Sequence, residues 1–146
     1  EQYEISNFAK IGYESRHNLK YWSMAPYLGL GLGASSFLDN KRITNVSSLE
    51  EYFELTSKGA PPTAEVHVNS ERDSVAEAVF TGLRKIEGIK YIDVLGSYEG
   101  FWEYYSDAFE EVRKYEREGK LIIDEEGMRL TSDGIDISNS IMALFV

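Results

Sequence analysis

The second half of the chain carries an ordered series of helix and hairpin signals that few folds can accommodate. Asn69 or Ser70 can cap a helix that continues to about residue 86, and a long helix is predicted from Gly100 to Glu118. Between them, residues 91–95 are predicted to be short and extended. Residues 121–130 predict a β-hairpin, and a last helix follows it. Helix, helix, β-wing and helix in this order predict a winged-helix-like domain. The apolar residues at helical spacing in the first helix are Val75, Val79, Leu83 and Ile86.

The first half mixes short strands with short helices. Residues 3–9 predict a strand, residues 16–23 predict one or two helical turns, and residues 41–46 predict another strand. A helix is predicted from Ser48 to near Gly59, because Glu51 lies three residues after the capping serine. Residues 27–37 predict a buried strand, since leucines alternate with glycines there. Those residues are Leu28, Leu30 and Leu32 with Gly29, Gly31 and Gly33.

Composition predicts a folded α+β chain with two parts. The 146 residues are 42% hydrophobic and 13% aromatic, which is enough for a real core. Pro61-Pro62 favours extended backbone and marks the best boundary candidate. We therefore predict a first domain over residues 1–65 and a second over residues 66–146.

Charge and cysteine content exclude several kinds of function. The formal net charge is −10, and residues 70–146 contribute −8 of it, so a phosphate-binding surface for nucleic acid is not expected. The chain has no cysteine, which excludes disulfides, zinc ribbons and cysteine-ligated iron–sulfur clusters within it. No apolar run reaches the length of a membrane span, and the sequence predicts a cytoplasmic protein.

The densest group of polar, aromatic and imidazole side chains is His17-Asn18-Leu19-Lys20-Tyr21-Trp22. It resembles the HNxxYW motif of the radical-SAM family that holds oxygen-independent coproporphyrinogen III oxidase, in the branch of the heme chaperone HemW. Further stretches that resemble the family are residues 3–9, residues 27–36, Gly82-Leu83-Arg84, and Arg129-Leu130-Thr131 with Gly134 and Asn139. The resemblance implies the last strands of a partial (β/α) radical-SAM barrel followed by a helical, winged-helix-like C-terminal domain.

The resemblance also implies where ligands would bind. His17 would ligate heme iron, Tyr21 would lie on the same helix face, and Trp22 would offer a flat apolar surface to the porphyrin. Phe8 and Ala9 would end a strand that reaches an S-adenosylmethionine pocket. The family's [4Fe–4S] cluster needs an upstream CxxxCxxC motif, so radical chemistry belongs to the full-length parent and not to this chain.

Two departures from the family pattern are visible. Ile11 stands where the family usually has proline, and Ser35 stands where a histidine is usual, which removes a potential ligand or proton carrier there. His67 has no second ligand at suitable spacing and is expected to be structural or exposed. We assign no catalytic residue.

Three functions remain open on the sequence alone. The parent would be a heme chaperone that transfers heme to acceptor proteins, with heme held near His17 where the C-terminal domain meets the barrel. It could instead be an oxygen-independent coproporphyrinogen III oxidase. The second half alone also suits an acidic winged-helix adaptor without a ligand. The expected partners are heme or porphyrin and the missing N-terminal barrel. Without barrel neighbours, residues 3–9 and 27–37 are expected to pair with each other or across a homodimer.

Overall fold

The computed structural model describes residues 1–146 and has the predicted α+β composition, with eight strands, eight α-helices and a short 3-10 helix. The chain forms two compact units. Unit 1 contains Glu1–Met24 and Val75–Val146, and unit 2 contains Ala25–Ser74. The domain division between residues 65 and 66 stays a prediction, and strand Thr63–Val68 runs across that point.

Unit 2 is a three-stranded antiparallel sheet with one helix. Its strands β3 (Ser35–Leu38), β4 (Lys41–Asn45) and β5 (Thr63–Val68) are ordered β3-β4-β5. Helix α2 (Leu49–Ser57) begins where predicted, because the Ser48 hydroxyl accepts a hydrogen bond from the Glu51 amide at 3.4 Å. The predicted strand at residues 41–46 and the predicted helix from Ser48 are both confirmed.

The predicted buried strand over residues 27–37 is wrong for most of its length. Only Tyr27, which bridges to Phe37, and residues from Ser35 onward have β pairing. Leu28, Leu30 and Leu32 are 67%, 82% and 45% exposed. The physical reason is local: Gly31 and Gly33 have φ of +104° and +61°, so the glycines turn the backbone where an extended strand was expected.

The predicted strand at residues 3–9 is a tight antiparallel hairpin, formed by β1 (Gln2–Glu4) and β2 (Asn7–Phe8). The buried Glu4 carboxylate holds the turn, since its Oε1 accepts from the Ser6 amide at 3.0 Å and from the Asn7 side-chain amide. β1 pairs with β2 on one side and bonds to the backbone of residues 84–86 on the other, which is not the expected pairing of residues 3–9 with residues 27–37. Pairing across a homodimer stays a prediction. All strand pairs in the chain are antiparallel, so the predicted barrel strands have no parallel neighbour here.

The other elements of unit 1 surround one hydrophobic core. Helix α3 (Glu71–Gly82) belongs to unit 1 from Val75 onward. The remaining elements are α1 (Arg16–Trp22), β6 (Ile89–Lys90), α4 (Tyr91–Val94), α5 (Tyr98–Tyr104), α6 (Phe109–Arg117), β7 (Leu121–Ile123), β8 (Gly127–Leu130), α7 (Ser132–Ile135), α8 (Ser138–Met142) and the 3-10 helix Ala143–Phe145. The small sheet has the order β6-β8-β7, and the predicted hairpin at residues 121–130 is confirmed. The largest fully buried side chains of the core are Tyr91, Phe101, Phe145, Leu83, Leu121 and Met128.

Three predictions in unit 1 need correction. Tyr91–Val94 form helix α4, which Leu95 ends, where an extended segment was predicted. The reason is that Tyr91, Val94 and Leu95 have helical spacing and all pack in or against the core cluster. The long helix at residues 100–118 is two helices, α5 and α6, and the weak helix formers Ser106 and Asp107 lie between them. The last helix is likewise divided into α7, α8 and the 3-10 turn. No helix in the chain combines the length and the apolar character that crossing a bilayer would require.

Two glycines with the same backbone angle allow a matched test of packing between β6 and β8. Gly88 and Gly119 both have φ of +74°, but a Cβ at Gly88 would lie 2.1 Å from the Met128 carbonyl oxygen, whereas one at Gly119 meets nothing within 4 Å. We expect Gly119→Ala to lower the free energy of unfolding by about 1–2 kcal/mol, the cost of left-handed backbone for an alanine. Gly88→Ala should lower the free energy of unfolding by at least twice as much, because β6 and β8 must also move apart. Urea unfolding measures both, and equal losses would contradict the packing argument.

The Tyr91 hydroxyl makes stability depend on alkaline pH. It is buried, and no hydrogen bond of good geometry reaches it. Burial is the main cause that raises its pKa, the nearby Trp102 side chain opposes this in part, and Tyr98 and Asp124 raise the pKa further. A phenol with a raised pKa in the folded state ionises more easily when unfolded. Stability is therefore full below the ordinary tyrosine pKa of about 10 and falls as the pH rises above it.

We expect Tyr91→Phe to remove this alkaline component and to keep or raise stability at neutral pH, because an unpartnered buried hydroxyl costs about 1–3 kcal/mol. Thermal unfolding of both proteins at pH 7 and between pH 9.5 and 11 measures the effect. If the melting temperatures of the two proteins fall in parallel above pH 10, Tyr91 is not the group that causes the alkaline loss of stability. The exposed Tyr13 provides the control, as Tyr13→Phe should leave the pH profile unchanged.

Candidate functional site

Helix α1 carries the HNxxYW residues and begins at a serine cap. The Ser15 hydroxyl accepts a hydrogen bond from the Asn18 amide at 3.3 Å, and Ser23 ends the helix. The Asn18 side chain donates to the Tyr3 hydroxyl at 3.4 Å, which connects the helix to the β1–β2 hairpin. No residue of α1 is fully buried. Arg16, His17 and Lys20 are exposed, and the other four residues of the helix are half-buried.

His17 and Tyr21 lie together on one face of α1, as the i, i+4 spacing predicts. The Tyr21 hydroxyl lies 3.1 Å from His17 Nε2, and the two ring centroids are 4.9 Å apart with the rings perpendicular. His17 is exposed and Tyr21 is half-buried. When the imidazole is neutral with its proton on Nδ1, its Nε2 lone pair accepts the tyrosine hydrogen bond.

Trp22 has a different environment from the His17–Tyr21 pair. The Arg84 guanidinium lies 4.3 Å from the centroid of the Trp22 ring, which is a close cation–π contact. Trp22 Nε1 and Arg84 Nε are both buried without a hydrogen-bond partner. One face of the indole is thus covered by Arg84, and this contact anchors the C-terminal end of α1 to the segment after α3.

A cleft of about 480 Å³ adjoins Trp22. Its walls combine the end of α1 with the end of α3 and the start of α4, and two lysines and two acids line it. Lys85 pairs with Glu87 at 3.0 Å. The charges around this cleft therefore balance, and it has no clear preference for an anion or a cation. The charged residues are Lys85, Lys90, Glu87 and Asp93.

The residues proposed for S-adenosylmethionine lie at the end of the N-terminal hairpin. The Phe8 ring is 72% exposed. The backbone amide of Ala9 donates to the Glu1 carbonyl at 2.8 Å, and the amino group of Glu1 donates to the Ala9 carbonyl at 2.6 Å. Phe8 is free to contact a ligand, whereas Ala9 can do so through its backbone only if it gives up its bonds to Glu1.

Ser35 and His67 both lie on the sheet of unit 2. Ser35 begins β3 opposite Thr44, and His67 lies on β5 opposite Arg42. Both are exposed, which agrees with the expectation for His67. No three His, Cys, Asp or Glu side chains come together in a group that could hold a metal ion.

Sequence reasoning did not assign a role to Arg84. The stretch Gly82-Leu83-Arg84 resembles the family, but nothing in its spacing relates Arg84 to Trp22, which lies 62 positions earlier. The contact arises because the β1–β2 hairpin pairs with the backbone after α3, where the Ile5 amide donates to the Arg84 carbonyl at 2.9 Å.

Comparison with known proteins gives consistent results. A family model described as the HemN C-terminal domain matches residues 69–137. The heme chaperone HemW of Bacillus subtilis (strain 168) is 35% identical to this chain over 99% of the chain and 38% of its own length. The heme chaperone HemW of Lactococcus lactis (strain IL1403) is 29% identical over 99% of the chain and 37% of its own length. The mitochondrial radical S-adenosyl methionine domain-containing protein 1 of Bos taurus is 30% identical over 97% of the chain and 34% of its own length.

The fold is also similar to a solved structure. The Escherichia coli coproporphyrinogen III oxidase HemN, described as a radical SAM enzyme, matches with a TM-score of 0.64 and 19% identity, covering 83% of this chain and 28% of that one. The chain spans less than two fifths of the length of the first relatives that it matches. On these matches, the chain belongs to the radical-SAM coproporphyrinogen III oxidase-like family, in its HemW branch, and corresponds to the C-terminal portion of its members.

Proposed function

We propose that this chain is the part of a heme chaperone-like radical-SAM protein that binds heme through helix α1 before transfer to an acceptor protein. The observation that carries the proposal is the exposed His17–Tyr21 pair, in which an imidazole nitrogen lies on the surface beside an aromatic ring. Neutral imidazole is a common axial ligand of heme iron. Two relatives with matches along nearly the whole chain carry the name heme chaperone, which favours this function over coproporphyrinogen oxidation.

The hydrogen bond between Tyr21 and His17 would compete with heme. In the tautomer with its proton on Nδ1, the Nε2 lone pair that accepts the tyrosine hydroxyl is the same lone pair that would bind iron. Heme binding through this atom therefore requires the hydroxyl to move, after which the Tyr21 ring remains beside the ligand. A single exposed ligand that must first lose a hydrogen bond gives a site from which heme can leave, as a transfer protein needs.

Trp22 would contribute by position. Its ring is held by Arg84 at 4.3 Å, so the end of α1 is fixed while the beginning, at His17, faces solvent. The accessible part of the half-buried indole would border the porphyrin, and the face covered by Arg84 would not stack on it. We thus assign His17 and Tyr21 to direct contact with heme and Trp22 to orientation of the helix.

The finer architecture belongs to the same proposal. Residues 1–65 would be the last part of a radical-SAM barrel in the parent, and residues 66–146 a HemN-type, winged-helix-like domain. The family match over residues 69–137 and the hairpin β7–β8 behind a set of helices support the second part. The first part is supported by the exposed apolar surface of unit 2, which the parent's barrel or a second copy of the chain would cover. That surface includes Leu28, Leu30, Leu49, Phe53, Val66 and Val68.

The family's other cofactors would be shared with the parent. A [4Fe–4S] cluster with cysteine ligands does not fit this chain, which has no cysteine. S-adenosylmethionine would be held mostly outside this chain, and Phe8 would border it with its exposed ring.

Heme titration separates the roles of the two residues of the pair. We expect His17→Ala to abolish the defined Soret shift, because it removes the ligand. Tyr21→Phe should bind heme as tightly as the wild type or more tightly, because it keeps the ring and removes the competing hydroxyl. Soret absorbance against heme concentration measures both dissociation constants. Unchanged binding in His17→Ala would refute the assignment of His17.

The second histidine of the chain provides the matched control. His67 is also exposed, but it lies on β5 without an aromatic neighbour of this kind, so His67→Ala should leave the Soret shift unchanged. If this chain binds no heme at all, the same titration is carried out on the full-length protein with the His17→Ala, Tyr21→Phe and His67→Ala variants. If His67→Ala abolishes the Soret shift of the full-length protein and His17→Ala does not, the proposal is overturned.

A further inference from the structure

A second cleft lies between the α4–α5 connection and the turn of the β7–β8 hairpin, and no residue assigned to heme or S-adenosylmethionine lines it. We call it the Tyr91 cleft. Its volume is about 950 Å³. One wall is formed by Ser97, Tyr98 and Glu99, and the other by residues 123–126 of the hairpin. Tyr91 lines the cleft at the start of α4.

The Tyr91 cleft carries an excess of negative charge. Glu99, Glu125 and Glu126 are exposed, and none of the three forms an ion pair. Of the two cations in the lining, Arg113 is already paired with Glu116 at 2.6 Å, which leaves Lys90 as the one cation to offset three carboxylates. A cationic ligand would be attracted to this cleft and an anionic one repelled.

Hydrogen bonds hold the backbone of the hairpin turn in place. The Asp124 carboxylate accepts hydrogen bonds from the amides of Glu126 and Gly127 at 3.0 and 2.9 Å. The Tyr91 amide donates to the Glu126 carbonyl at 2.9 Å, which ties the turn to α4. The carboxylates of Glu125 and Glu126 therefore project from a turn that does not need to reorganise when a ligand binds, and such preorganisation favours binding.

The floor of the cleft contains an unsatisfied polar group. Tyr91 is only 1% exposed, and its hydroxyl has no hydrogen-bond partner. Burial raises the pKa of this hydroxyl most, and the Trp102 side chain, which does not line the cleft, lowers it. Smaller effects come from Tyr98, Asp124 and Arg113, which all line the cleft. The Tyr91 ring also meets the Tyr98 ring edge to face, with centroids 5.4 Å apart. A donor that reaches the floor between these rings would satisfy the oxygen.

We infer that the Tyr91 cleft binds an arginine side chain on a segment of a partner protein. A guanidinium group has five N–H donors, forms paired hydrogen bonds with carboxylates, and stacks on aromatic rings. Those properties match the carboxylates of Glu125 and Glu126, the ring of Tyr98 and the free oxygen of Tyr91. The inference does not depend on heme, because no residue of α1 contributes to this cleft.

A peptide titration followed by nuclear magnetic resonance of the 146-residue chain tests this inference. The probe is acetyl-Gly-Gly-Arg-Gly-Gly-amide, and its control replaces arginine with citrulline, which has nearly the same shape without the charge. We expect saturable shifts of the amides at residues 91, 98 and 125–127 with the arginine peptide alone. Shifts spread over all acidic surfaces, or equal shifts with citrulline, would overturn the inference.

Matched variants distinguish the cleft from the overall negative charge of the chain. Glu125→Gln with Glu126→Gln should raise the dissociation constant at least fivefold. Glu103→Gln with Glu118→Gln removes two exposed acids elsewhere and should change it by less than twofold. Tyr91→Phe removes only the hydroxyl, is expected to fold at least as stably as the wild type, and should weaken binding two- to threefold.

Equal weakening by the two double variants would reduce the effect to general electrostatics and refute the site. The heme titration of the Glu125→Gln, Glu126→Gln protein should match the wild type. If the chain binds heme but not the peptide, the result therefore counts against the Tyr91 cleft alone. Loss of heme binding in His17→Ala bears only on α1.

Discussion

The segment that carries the HNxxYW residues is held to the rest of unit 1 by a short stretch of backbone directly after α3. The Ile5 amide donates to the Arg84 carbonyl, and the Ile86 amide donates to the Tyr3 carbonyl at 3.2 Å. These bonds place the β1–β2 hairpin and bring the Arg84 side chain over Trp22. Since α1 has no fully buried residue, it could not keep a fixed position through packing of its own. The geometry of the candidate heme site thus depends on residues 84–86.

This arrangement gives the two ends of α1 different properties. At its C-terminal end, Trp22 is fixed by a cation–π contact, and at its N-terminal end His17 faces solvent with only Tyr21 as a neighbour. A permanent heme pocket would be expected to enclose the ligand in apolar side chains. An exposed imidazole on an anchored helix suits a ligand that must be received and passed on.

The sequence predicted the elements whose signals are local and strong. The Ser48 cap, the hairpin around Gly127 and the pairing of His17 with Tyr21 all follow from residues within a few positions of one another. The errors have physical causes of two kinds. Residues 27–37 alternate leucine with glycine, but glycine also permits left-handed backbone, and this freedom produced a loop. The Trp22–Arg84 contact, in contrast, depends on a tertiary pairing of Ile5 with Arg84, which no local pattern records.

Unit 1 is interrupted in sequence by the whole of unit 2, since Met24 and Val75 belong to the same compact unit and residues 25–74 do not. Residues 75–146 contain nearly all of the buried aromatic core and can collapse through contacts that are close in sequence. The segment of residues 1–24 joins them only when a loop of fifty residues closes, and that closure has an entropic cost. In the order of folding, the helix that bears His17 is therefore expected to dock late, and in fluctuations of the native state it should detach early. The same topology that delays its assembly would let residues 1–24 break their contacts with residues 84–86 and separate as one segment while the core of residues 75–146 stays folded.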